Sequence, residues 1–511
     1  MVKKDLKKRK GSVLLYSVVL MLVLVVTAGA FMKWAADEAY QANYDLARSQ
    51  AYYIAQKGAI EQGMSHLRSK KYYELTAASV DLPDGREMDY GDFRGRYEGA
   101  EVLQQTTLYD LQDSEFLRTG AWDATAVGVV EMEQPNGDKV EVKTRYTLRS
   151  QMRTFANYMY LSDIETAAPP DSSGDDVIWF YTGDTLYGRV HSNDYIGIKQ
   201  SPVFYGPVST SKDEFREYAA SAHFEYEPQF NVPEVYFPEQ ADDIRNGAAN
   251  QGNFFSSNNN TWLYQFEGNN GGWDWYKWER GTGVEPNDNN VIDFGYVAYS
   301  LNTICFVEGD LYIKGELVQG KSTISSGGQM YLIDNVKYAD VSVVAPSIPD
   351  NSPNILGLVS EKNIIIRNST RNGKENGGND NPNAPHDQAH IVITAGLVAL
   401  GQSFTFEHQN DTIEGTCNAN STPQEAPWDH GSYLYTGGQD ERGYIYIRGA
   451  VAQQRRGYVH RSNCGGTGYD KSYDYDFRLQ TNPPPLYLAA QDADGNIFFE
   501  VTSSWAEFVT D

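Results

Sequence analysis

Hydrophobic and polar positions change their period along this chain, and each change predicts a different element. Residues 13–32 form an uncharged, almost wholly apolar run. A helix of that length spans ~30 Å, the hydrocarbon thickness of a bilayer. Residues 33–68 contain no proline, and Ala36, Tyr40, Tyr44, Ala47, Ala51, Ile54 and Gly58 recur at spacings of three and four. That spacing is an amphipathic stripe, so one helix is expected from about 13 to 68, ~85 Å long at the standard rise. Within 76–165 the period falls to two. AVGVVEME (126–133) and KVEVKTRYTL (139–148) flank Asn136-Gly137, a pair favoured in tight type I′ hairpins.

From about Ile178 the pattern becomes short apolar strands broken by Gly, Asn and Asp, with KDEFREYAASA (212–222) the main stretch of helical period. Internal similarity is visible. GLVSEKNIII (357–366), GLVALGQSFTF (396–406) and GAVAQQRRGYV (449–459) share a Gly-apolar-Val start, and LYI and YLI recur in 309–320 and 327–338. Short repeats of strand and glycine turn predict a parallel β-solenoid, in which inward apolar residues of successive rungs build a core that no single rung supplies. A β-sandwich is the alternative. Asn/Gly-rich insertions are expected at 245–290 and 371–389.

Composition narrows the function. The 511 residues carry 42 basic and 68 acidic side chains, a net charge of −26, which argues against nucleic acid as a partner. Three cysteines make no disulfide framework, and no CxxC pair suggests a zinc or redox site. The charge is uneven: residues 1–12 carry +5, leaving −31 on the remainder. A basic cluster before an apolar run places the N-terminus in the cytoplasm and the acidic bulk outside. Three readings of this end compete. Ala28-Gly29-Ala30 offers a secretory cleavage site, but the apolar stretch is long for a signal; a plain anchor is the second. The third is a prepilin leader cut after Gly11, leaving Ser12 at the start of an apolar helix. The amphipathic continuation to residue 68 favours the third, because a cleaved signal needs no stem.

KGSVLLYSVVLMLVLVV and AYYIAQKGAIEQGM (51–64) resemble the N-terminal region of PilX-type and K-type minor pilin and pseudopilin proteins. The resemblance implies processing at Gly11/Ser12 and assembly with other pilin or pseudopilin subunits. Two positions depart from the family: Ala55-Gln56-Lys57-Gly58 stands where an A-E-x-G element is usual, and Tyr16 stands where major pilins carry a Glu. YMYLSDIET (158–166), IWFYTGDTLYGRVHSND (178–194), NILGLVSEKNIII (354–366) and YDYDFRLQTNPPP (473–485) resemble an uncharacterised β-helical domain attached to such N-termini in bacterial envelope proteins. That likeness implies an envelope location and no catalytic residues.

Candidate chemistry is sparse. Trp262, Trp273, Trp275 and Trp278 in the Asn/Gly-rich stretch are candidate glycan contacts, since exposed aromatics stack on sugar rings; burial as the core of a capping loop is the competing reading. Cys417 and Cys464 are a candidate disulfide in an oxidising periplasm, with Cys305 left over. Asp171, Asp175 and Asp176, and Asp470, Asp474 and Asp476, read as solvated acids. His191 reads as a hydrogen-bonded structural histidine, and Arg455 and Arg456 as two charges on a turn. No GxSxG or HExxH motif is present, and no catalytic residue, metal or cofactor is expected.

The sequence therefore predicts a mostly β bacterial envelope protein. It has a basic leader (1–12), a transmembrane and stem helix (13–75), a small α+β pilin-like head (76–165), a large right-handed parallel β-helix (166–490) and a C-terminal tail (491–511). The expected function is a non-enzymatic minor pilin-like component of a type IV pilus or related filament. Held in the inner membrane, it would display an adhesive β-solenoid towards surface glycans. The alternative is a membrane-anchored or secreted glycan-binding or glycan-cleaving β-helix protein.

Overall fold

The computed structural model describes residues 10–70, 79–90, 93–106, 120–166, 177–283, 285–373, 390–407, 440–461 and 467–509. It is mostly β, with one long N-terminal helix, α1 (Lys10–Gly58), continued by a π-helical turn (Ala59–Met64) and a last α turn (Ser65–Arg68). The two halves of this helix meet different surroundings. From Val13 to Leu46 it stays in the open, apart from a half-buried Tyr40. Ala47, Ala51, Ile54, Ala55 and Ala59 are buried against the head. The predicted stripe is thus buried from Ala47 onward, with Tyr40 packed partly against the same core.

The head is an antiparallel sheet of β1 (Ser79–Asp81), β2 (Met88–Tyr90), β3 (Phe93–Thr106), β4 (Ala121–Glu133) and β5 (Lys139–Met152). Its strand order is β1-β3-β4-β5, with β2 also on β3. Small residues let α1 lie close: a Cβ on Gly128 would fall 1.9 Å from the Ala51 carbonyl oxygen. The expected hairpin joins β4 to β5 in the register Glu133↔Lys139. Its turn is not type I′, because only Gly137 has a positive φ, +86°. The Gly137 N–H donates to the Gln134 carbonyl at 2.9 Å, the pattern of a type I turn closed by a left-handed glycine. Pro135 holds its own φ negative. The segment expected as a C-terminal tail holds a strand, Phe499–Val509, which returns to pair antiparallel with β5.

Beyond the head the pairing is mostly parallel. One stack runs in space through Phe254–Phe255, Thr303–Val307, Lys321–Ser326, Ile355–Ser360, Gly396–Ala399 and Asp440–Arg455. It continues through β6 (Tyr160–Ile164), Val190–Ser192 and Val208–Thr210. The first strands of the body therefore follow its last ones in space, so the order along the stack is a permutation of the order along the chain. A second parallel stack aligns Leu311, Met330, Ile364 and Phe404, and beside them Ile313, Leu332, Ile366 and Phe406. All eight side chains are buried in one core. These are large curled sheets in which each row continues its neighbour's apolar layer.

Three details depart from expectation. Gly396 pairs with Ala450 rather than Gly449, so the third repeat is shifted by one residue. The 212–222 segment of helical period contains a strand, Arg216–Tyr218, paired with Gly197–Lys199. Residues 245–290 are more than an inserted loop. They hold the end of the helix Asp242–Asn250 and the strands Phe254–Phe255, Trp262–Gly268 and Gly272–Glu279, the first two of which pair into the stacks.

Candidate functional site

The N-terminal candidates lie on α1. Gly11 and Ser12 have helical backbone at its start, and Tyr16 is exposed. Among the described residues, this is the helix long and apolar enough to cross a membrane, and none of its apolar window is buried.

The four tryptophans do not form an open platform. Trp273 and Trp278 are fully buried, and the Trp278 indole N–H donates to the Gly283 carbonyl at 3.2 Å. Trp275 and Trp262 are half-buried against the body core, the latter with the Lys277 ammonium 4.9 Å from its ring. The antiparallel pair of Trp262–Gly268 and Gly272–Glu279 turns its large rings inward because burial removes the most apolar area from water. Cys417 and Cys464 lie outside the described residues, as do Asp171, Asp175 and Asp176. Cys305 is buried, and burial raises its thiol pKa. In the second group of acids, Asp470 is exposed as expected and the other two are engaged. Asp474 and Asp476 pair with Arg448 and Arg478, and Asp470 lines a cleft described below.

His191 is buried as expected. Its Nδ1 lies 2.9 Å from Ser209 Oγ and its Nε2 3.1 Å from Asn193 Oδ1. Asn193 Oδ1 also accepts the Val235 N–H, so a neutral ring with its proton on Nε2 fits both contacts. Burial, with Arg153 and Arg189 nearby, pushes its pKa down to about 4 against the opposing effect of the hydrogen bond with Asn193.

A cleft of about 650 Å³ opens where β6 and the segment after it meet the last strands of the body. Arg456 forms its floor. Its guanidinium is buried, donates to Glu165 Oε2 and to the Ile178 carbonyl, each at 2.8 Å, and stacks 3.9 Å over the Phe180 ring. Burial disfavours its cation, but Tyr160 and the Glu165 carboxylate outweigh that and hold its pKa above the ordinary value. Lys471 donates to Asp184 at 2.9 Å on the wall, and Trp179, Tyr181 and Lys199 line the mouth. Expected as a plain charge on a turn, Arg456 is instead the anchor of a buried pair. Its partner lies 291 positions away, a distance that no local pattern reports. Its neighbour Arg455 donates to the Thr166 carbonyl and hydroxyl. Among the described residues no group of His, Cys, Asp and Glu is arranged to hold a metal.

The matched family model covers part of this region. Residues 125–212 match a domain of unknown function, DUF4900. That span runs from within β4 through β5 and β6 to just past Val208–Thr210, so it crosses from the head into the body and includes His191 and part of the cleft. No curated protein and no solved structure matches the chain.

Proposed function

We propose that this chain is a non-enzymatic, minor pilin-like envelope protein, anchored by the first half of α1 and displaying the curled β body outside the membrane. The body is read as a right-handed parallel β-helix, the hand that parallel crossovers take in nearly all cases. The observation that carries the proposal is the outward face of the stem from the end of the open half of α1 into the π-helical turn. Leu46, Tyr53 and Ile60 are spaced by seven and stay 48%, 66% and 44% exposed although the opposite face is buried on the head. Exposed apolar side chains at that spacing, on a helix continuous with an apolar anchor, suit contacts with the helices of neighbouring subunits. The basic leader sets the N-terminus inside.

The test is cysteine cross-linking in intact cells with Leu46→Cys and Ile60→Cys. Cross-links from both positions to other pilin-like subunits, with loss of surface filaments on deleting the gene, are expected. Unchanged filaments and no cross-link from either position would overturn the assembly reading.

A further inference from the structure

We infer that the cleft and the aromatic row at its mouth bind an extended β-1,4-linked oligosaccharide. The row is built by parallel pairing. Tyr181 follows Trp179–Phe180, Lys199 ends Gly197–Lys199, and Tyr218 ends Arg216–Tyr218, three neighbouring strands in one sheet. The Lys199 ammonium sits 5.7 Å from the Tyr181 ring and 5.3 Å from the Tyr218 ring. The two tyrosines are 44% and 61% exposed, which leaves large apolar ring surfaces in water.

The mixture of groups points to a sugar. A hexose offers an apolar ring face bordered by hydroxyls, so it needs aromatic planes beside hydrogen-bonding groups. Asp184 accepts from Lys471 and from the Tyr181 N–H, and a carboxylate has acceptor sites beyond those two. The Lys199 ammonium has donors for hydroxyl oxygens. A nucleic acid does not suit a chain of net charge −26. Strands two places apart in a sheet are separated by ~9.5 Å, close to one disaccharide unit of a β-1,4 chain. Alternate sugar rings would then lie on Tyr181 and Tyr218, with the chain running on into the cleft. The inference rests on the display reading only for the ligand's place outside the membrane.

The test uses the full chain in detergent micelles, titrated calorimetrically with cellohexaose, chitohexaose and maltohexaose. One or both β-1,4 hexaoses are expected to bind, and α-1,4-linked maltohexaose more weakly. Tyr181→Ala and Tyr218→Ala should each weaken binding about tenfold, ~1.4 kcal/mol, without shifting the melting temperature, while Tyr53→Ala on the stem leaves binding unchanged. No binding by any hexaose, equal binding of both linkages, or binding indifferent to both tyrosine substitutions would overturn the inference. Binding without entry into filaments would overturn the assembly reading alone.

Discussion

β5 of the head and Ile355–Ser360 of the body bury themselves differently. β5 alternates between buried and more open positions along much of its length, because one face meets α1 and the other meets solvent. Ile355–Ser360 is buried at every position. Its inward face joins the core, and its outward face is covered by the returning chain: Tyr487 packs over Gly357 and Gly396, where a Cβ would come within 3 Å of the tyrosine side chain. The head is thus held mainly by one helix on one face, with the C-terminal strand closing its β5 edge, and the body by contacts between segments far apart in sequence. Local pattern specifies the first, and long-range closure the second.

The sharpest way to break the comparison is at the joint where β6 and the residues after it meet the last strands of the body, held by the Arg456–Glu165 pair. Arg456→Met leaves the Glu165 carboxylate buried without its cation, and a cost of about 3–5 kcal/mol is expected in denaturant unfolding. Adding Glu165→Leu should recover part of that loss; if the double variant is less stable than Arg456→Met alone, the buried-pair explanation is wrong. In the head, Gly128→Val drives a side chain into the backbone of α1. A loss of about 3 kcal/mol and new protease cleavage in the stem are expected, and an unchanged digestion pattern would contradict close docking.

His191 offers a pH test. Its folded pKa lies below the unfolded value, so the unfolded state binds more protons between about 6.5 and 4, and stability falls as pH drops through that window. The loss is on the order of 3 kcal/mol at most. His191→Gln should flatten the melting temperature between pH 6.5 and 4 relative to the parent chain; an unchanged slope would assign the acid sensitivity elsewhere. The smallest effect is expected at the exposed Lys139–Glu131 pair, 3.1 Å apart. Lys139→Ala should cost under about 1 kcal/mol in denaturant unfolding and become neutral in high salt.

Much of the head was legible because its signals are local. The hairpin followed from alternation around Asn136-Gly137, and the apolar run and stripe marked α1. The C-terminal strand was missed because it pairs across most of the chain: Phe499 lies opposite Met152, and nothing in its own sequence names that partner. In the body the repeats marked strands but not their register, since Gly449 and Ala450 are both small enough for the position opposite Gly396. The tryptophans left two readings open, because composition does not tell an exposed ring from one folded under a pair of strands, and burial is the one observed for Trp273 and Trp278. The cleft was invisible for the same reason as the joint: its walls come from opposite ends of the body and meet only through the permuted stacking order.

The most direct measurement is the N-terminal residue of the natural protein, by mass spectrometry of membranes and of sheared surface filaments. A chain beginning at Ser12, recovered in the filament fraction, is the predicted result. A chain beginning at Met1 and confined to the membrane would contradict pilin-type processing, and one beginning at Phe31 would contradict the anchor itself.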